Sequence, residues 1–342
     1  MLDLPQPDWH WPVFDKVLCG SMSDRERLGL PDRYLADRYG ATYSMVYERL
    51  RFLQKEALVT LCEEATIPLL ERFVAGNLLG VLGDPRIETF KPKMIAISGG
   101  NIEVGLPRSE LDSILTKFSG LGLDRRWIAK ECPRHAARIR TFAVGKYPVT
   151  NLEYRDFLQD SGFFELPSSW AFRRFPAEWA NHPVYTVTAE AADAYCRWLS
   201  GKTERSFRLP TEAEWEYTAA GPSGFEFPWG DDFNADFANS AETGIFHSTP
   251  VGIFVEGNSP FGVADMAGNV EEYVADTYAA YPGGNFISDH LVEMHRAYRI
   301  ARGGSFARFR DLARTRRRHG HNPRSAAYAM GFRLAEDIPQ SI

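Results

Sequence analysis

The chain has 342 residues, of which 44% are hydrophobic and 25% charged, and it carries a formal net charge of −6. That is room for one large and one smaller domain of ordinary globular composition. The acidic balance argues against nucleic acid as a partner, and no apolar run reaches the roughly 18 residues needed to cross a membrane.

The first stretch, MLDLPQPDWHWPVFD, lacks the basic start and apolar centre of a signal peptide, so a cytoplasmic protein is expected. Residues 1–30, rich in Pro, Trp and Asp, read as an arm that packs on something else. The four cysteines, Cys19, Cys62, Cys132 and Cys196, form no CxxC pair and read as buried or incidental thiols. Tyr43, Val46, Tyr47, Leu50, Leu53, Ala57 and Leu61 recur at three- and four-residue steps, which predicts an amphipathic helix as far as Pro68. A second helix follows through Leu69, Phe73, Leu78 and Leu82, and Gly83-Asp84-Pro85 stops it. Gly40 between two short apolar stretches suits a helix-turn-helix, but no basic recognition face accompanies it. A helical subdomain over 1–92, able to mediate a homodimer, is the better expectation.

From residue 93 the pattern changes to short apolar runs broken by Gly, Pro, Asn and Asp. IAISGGNIEVG predicts an opening hairpin. Helices are expected over Asn151–Gln159, with Thr150 and Glu153 as a capping box, and over Ala189–Leu199, capped by Thr188. Thr211 and Glu214 form a second capping box, with Trp215 and Tyr217 as core anchors.

The ordered series GKYPVTNLEYRDFL, HPVYTVTAEAADAYCRWL, RLPTEAEWEYTAAG, FPWGDD, GVADMAGNVEEYVADTY, ARGGSF and GFRLAED resembles the formylglycine-generating-enzyme (sulfatase-modifying-factor) family. The resemblance implies an α+β, C-type-lectin-like domain over residues 93–342, following the helical segment. In that family GVADMAGNVEEY would wrap calcium, with the Asp265 and Glu272 side chains and the Gly268 and Val270 carbonyls as hard oxygen ligands. The alternative is that these carboxylates cap turns or pair with an arginine. Arg333 of GFR is expected to find a buried carboxylate.

Two departures bear on activity. The family flanks this glutamate with tryptophans, where this chain has Glu271 and Tyr273, so Glu271 is either exposed or faces a polar cleft. Family members that make formylglycine hold copper(I) with two thiolates beyond ARGGSF. The stretch ARFRDLARTRRRHGHNP contains no Cys, which argues against that route, and the iron triad of the sulfoxide-synthase branch is missing from the N-terminal segment.

Between Arg296 and Arg333 there are eleven arginines and one acidic residue, Asp311. Such guanidinium groups suit a carboxylate, phosphate or acidic peptide, although at least half of them are expected to be structural. The candidate site is Ser305, His319, His321 and Glu271 as catalytic residues, with Arg308, Arg317 and Arg318 holding an anionic small-molecule or peptide ligand. His319 and His321 could bind iron or copper or transfer protons. The leading expectation is an oxidative, non-thiolate enzyme; the alternative is a ligand-binding protein on a lectin-like scaffold.

Overall fold

The computed structural model describes residues 38–320 and 329–338. The helical segment comprises α1 (Gly40–Leu50), α2 (Lys55–Glu63) and α3 (Leu69–Leu82). The single helix expected up to Pro68 is therefore broken at residues 51–54. The break folds α2 back onto α3, where Leu58 and Cys62 become fully buried with Phe73, Val74 and Leu79. Gly83 ends α3 at φ 90°, a conformation in which glycine carries no Cβ penalty.

This segment is welded to the rest of the chain. Ile253 and Phe254 enter its apolar core. On α3, Gly76 and Gly80 lie one turn apart, and a Cβ at either would come within 2.7 Å of Pro250 or of the Asn181 side chain. The small stripe lets the helix axis approach closely enough for Asn181 to donate to the Gly76 carbonyl at 2.9 Å and to Asp84 at 2.7 Å.

The remainder is α+β. One antiparallel sheet has the order β1–β4–β10–β5, from β1 (Met94–Ile97), β4 (Phe142–Gly145), β10 (Ala335–Asp337) and β5 (Phe207–Arg208). A two-stranded ribbon pairs β2 (Gly100–Val104) with β3 (His135–Ile139), and the short helices α4 (Leu111–Lys117) and α5 (Arg125–Ala129) lie in the connection between them. The expected hairpin of β1 with β2 does not form. Gly99 instead carries the chain from one sheet to the other, passing so close to the Arg140–Thr141 backbone that no side chain fits there.

The third sheet positions the site. Its order is β8 (His319–Gly320), β7 (Arg299–Arg302), β6 (Glu271–Thr277) and β9 (Met330–Phe332), with β6 and β9 parallel. One face turns Tyr273, Ala301 and Phe332 onto α6 (Asn151–Ser161) and α7 (Ala189–Thr203). The other turns Val274 and Ile300 onto Trp215 of α8 (Glu212–Ala220) and onto Ile97 and Phe142 of the first sheet. All three expected caps are made: Thr150 and Thr211 form capping boxes with Glu153 and Glu214, and Thr188 accepts from the Ala191 amide. Among the described residues no helix is long and apolar enough to cross a membrane.

Candidate active site

Alternation along β6 decides what its two consecutive glutamates do. Successive side chains point to opposite faces of a strand, so Glu271 shares a face with Tyr273 while Glu272 points the other way. Glu272 meets Arg333, which donates from Nε and Nη2 to its two oxygens at 2.6 Å each, and Trp215 Nε1 adds a third bond at 2.7 Å. Arg333 further donates to the carbonyls of Gly145, Ala264 and Asp265. Both partners are buried, as the GFR reading expected.

The same contacts bear on the calcium expectation. With a guanidinium and an indole on its oxygens, Glu272 does not fit the role of a cation ligand; it pairs with an arginine, the alternative reading. Asp265 accepts from the Gly252 amide at 2.7 Å, and burial pushes its carboxyl up to about 6. Gly268, at φ 75°, lies flush against the Asn239 backbone, and Val270 packs its side chain over Gly331. Among the described residues no group of three or more His, Cys, Asp or Glu side chains could hold a metal ion.

On the opposite face, β8 pairs with β7 so that His319 stands across from Ala301, itself across from Tyr273. This register brings the imidazole to Glu271: Nδ1 lies 2.6 Å from Oε2. The carboxylate is buried, whereas the histidine side chain keeps 17% of its exposure. Glu271 therefore faces a polar partner and not bulk water. Arg308 Nε lies 3.5 Å from the second oxygen of Glu271, with its guanidinium partly exposed. The Arg308 amide donates to the Ser305 carbonyl at 2.9 Å, which ties this arginine to the turn after the two glycines Gly303 and Gly304. The Ser305 hydroxyl is buried and has no hydrogen-bond partner among the described residues. Phe306 completes the wall, edge-on to Tyr185 with ring centres 5.5 Å apart.

The other expected anion binders are used within the fold. Arg318 forms a two-pronged pair with Glu212 at 2.8 and 2.9 Å and lies 3.9 Å from the Tyr281 ring centre. Arg317 is buried over Trp127 and donates to the Arg318 carbonyl, with Asp311 3.7 Å away. Arg302 pairs with Glu216, and Arg314 with Glu131 and Glu226. His321 lies outside the described residues. Sequence reading noted Asp311 but gave it no role; burial raises its carboxyl against the opposing pull of Arg317, Arg314, His319 and Arg308. It passed over Trp127, which bridges Arg317 to His290. No local pattern marks either residue.

The three described cysteines are free and buried in separate places, with Cys62 in the helical core, Cys196 on α7 and Cys132 beneath the 111–129 helices. Burial pushes the Cys62 thiol up to about 12 and Cys132 up to about 11. Among the described residues no cysteine stands at the Glu271–His319 pair.

Residues 83–338 match the family described as Sulfatase-modifying factor enzyme 1-like domain. The chain belongs to this family. Serine/threonine-protein kinase pkn1 of Chlamydia pneumoniae is 28% identical over 295 residues, covering 79% of this chain and 41% of the kinase. Hercynine oxygenase of Mycolicibacterium thermoresistibile is 30% identical over 248 residues, 61% of this chain and 53% of the oxygenase. The chain thus spans about half or less of the length of these two relatives. Inactive C-alpha-formylglycine-generating enzyme 2 of Mus musculus is 28% identical over 316 residues, with 75% of this chain and 91% of that protein covered. Among solved structures, PvdO from Pseudomonas aeruginosa superposes with a TM-score of 0.55 at 26% identity, covering 73% of this chain and 95% of PvdO.

Proposed function

We propose that this family member is an oxidative enzyme working without thiolate ligands on an anionic small or peptidyl substrate. The observation that carries this reading is the Glu271–His319 pair. A buried carboxylate on Nδ1 fixes the ring's orientation and tautomer and leaves Nε2 directed elsewhere, the usual arrangement for an imidazole that moves protons or binds a metal. Arg308, partly exposed beside the pair, supplies positive charge for a substrate carboxylate or phosphate. A relative named as an oxygenase supports the oxidative class. Iron or copper would supply the electron chemistry, but the described side chains do not by themselves form its site. What these residues do is hold the imidazole, keep a counter-charge at its back and offer a guanidinium to the substrate.

A ligand-binding role without catalysis is the second reading. It is favoured by the internal use of Arg317 and Arg318 and by the likeness to an inactive relative. Plasma mass spectrometry on protein purified without chelator separates the two. Near-stoichiometric iron or copper that disappears in His319→Ala supports the oxidative reading. Absence of a redox metal in the unaltered protein sinks it and leaves the binding reading.

A further inference from the structure

A cavity of about 390 Å³ opens where the helical segment meets the lectin-like part, and none of its lining residues belongs to the Glu271–His319 site. That volume suits a small molecule, and clefts between subdomains are common binding places. Tyr43 and Tyr47 form one side, a single turn apart on α1, with Trp179 on another. Leu78 and Val81 of α3 add aliphatic surface.

The aromatic walls are held in place before any ligand arrives. Asn77 donates to the Tyr43 hydroxyl at 2.8 Å, and its oxygen lies 3.2 Å from Nε2 of the buried His182. Trp179 stacks on both His182 and His247, with ring centres 5.7 and 6.1 Å apart.

Two charged residues line the opening, and they differ in how they are compensated. Arg51 is engaged by Glu48 at 2.8 Å and lies 4.4 Å from the Phe52 ring centre. Glu178 is exposed and has no ion-pair partner among the described residues. The cavity therefore presents aromatic rings together with one uncompensated negative charge. Ring faces attract cations, and weakly hydrated alkylammonium groups are what such cages recognise. An anionic ligand would meet Glu178 with its own positive partner already occupied.

We propose that this cavity binds an organic ammonium ion, alkylated at nitrogen and attached to an apolar body. The lining supplies aromatic rings and a carboxylate for the charged head, and the Leu78–Val81 surface for the body.

The test is isothermal titration of the full chain with choline, with its uncharged isostere 3,3-dimethylbutan-1-ol, and with benzoate. Choline is expected to bind saturably at one site, at least about tenfold more tightly than the isostere, with no binding of benzoate. Glu178→Gln and Tyr47→Ala, both at exposed positions, are expected to weaken choline about tenfold each, while His319→Ala leaves it unchanged. The proposal is overturned if the isostere binds equally well, if benzoate is preferred, or if His319→Ala alone abolishes binding. Light scattering that shows a dimer, together with no choline binding, would assign the surface to a second copy and overturn it too.

Discussion

Glu271 and Glu272 are neighbours in sequence, and both side chains are buried, yet they belong to different worlds. Glu272 lies on the closed face of its sheet, saturated by Arg333 and Trp215. Glu271 lies on the face that ends in a half-open edge, held to His319 with Arg308 nearby. The contrast separates charge used to fix a fold from charge placed to act. A buried ion pair with every lone pair satisfied costs desolvation and returns specificity of packing, while breaking one partner leaves a bare charge in a dry place. A carboxylate behind an imidazole at a rim does less for stability and more for the chemistry of the ring.

The largest effect that could break this contrast is Arg333→Ala. It strands Glu272 without a cation and is expected to cost about 3–5 kcal/mol in urea unfolding. A loss under ~1 kcal/mol would mean that the closed face is not the structural one. Glu271→Gln comes next. The amide oxygen can still accept from His319, so stability should fall by only about 1 kcal/mol. Metal affinity, or activity once a substrate is known, should drop on the order of ten- to a hundredfold. Equal damage to folding and function at both glutamates would erase the distinction.

The smallest effect sharpens it from a third carboxylate. Glu153 is buried, its carboxylate accepting from the Thr150 amide and hydroxyl and from no other group among the described residues, and burial pushes it up to about 7. Protonated in the fold and ionised in the unfolded chain, it contributes stability that is complete below about 4.5 and lost as pH rises through about 7. Urea midpoints across that window should therefore fall with rising pH, and Glu153→Gln should flatten the slope. An unchanged slope in the variant would place the titration elsewhere.

What the sequence disclosed was local or anchored to a recognisable series. Thr150 with Glu153, Thr211 with Glu214, and Gly83 after α3 each mark a helix end through chemistry confined to a few residues. The pairing of Arg333 was legible because a guanidinium next to the core residue Phe332 calls for a buried carboxylate. The break at 51–54 was hidden because the apolar spacing continues across it, and only the packing of Leu58 and Cys62 against α3 requires the turn. Strand partners were equally hidden, since β1 and β2 each find their mate across some forty residues and not across the Gly pair. The arginines posed the hardest case. Arg314 meets Glu131 and Glu226 at sequence separations of 183 and 88, and no spacing rule reaches that far. Hence His319, Glu271 and Arg308 do come together in space, while two further arginines grouped with them, Arg317 and Arg318, are employed inside.

The glycine stripe of α3 has a consequence for how the chain comes apart. Because Gly76 and Gly80 let the helix lie flush on Pro250 and Asn181, and Ile253 and Phe254 complete its core, the seam has no slack in which one side could loosen first. The two parts should melt as a single cooperative unit. A fragment beginning at residue 93 would carry a raw apolar scar where the helix had been, so the family domain and its helical prefix are better regarded as one foldable piece.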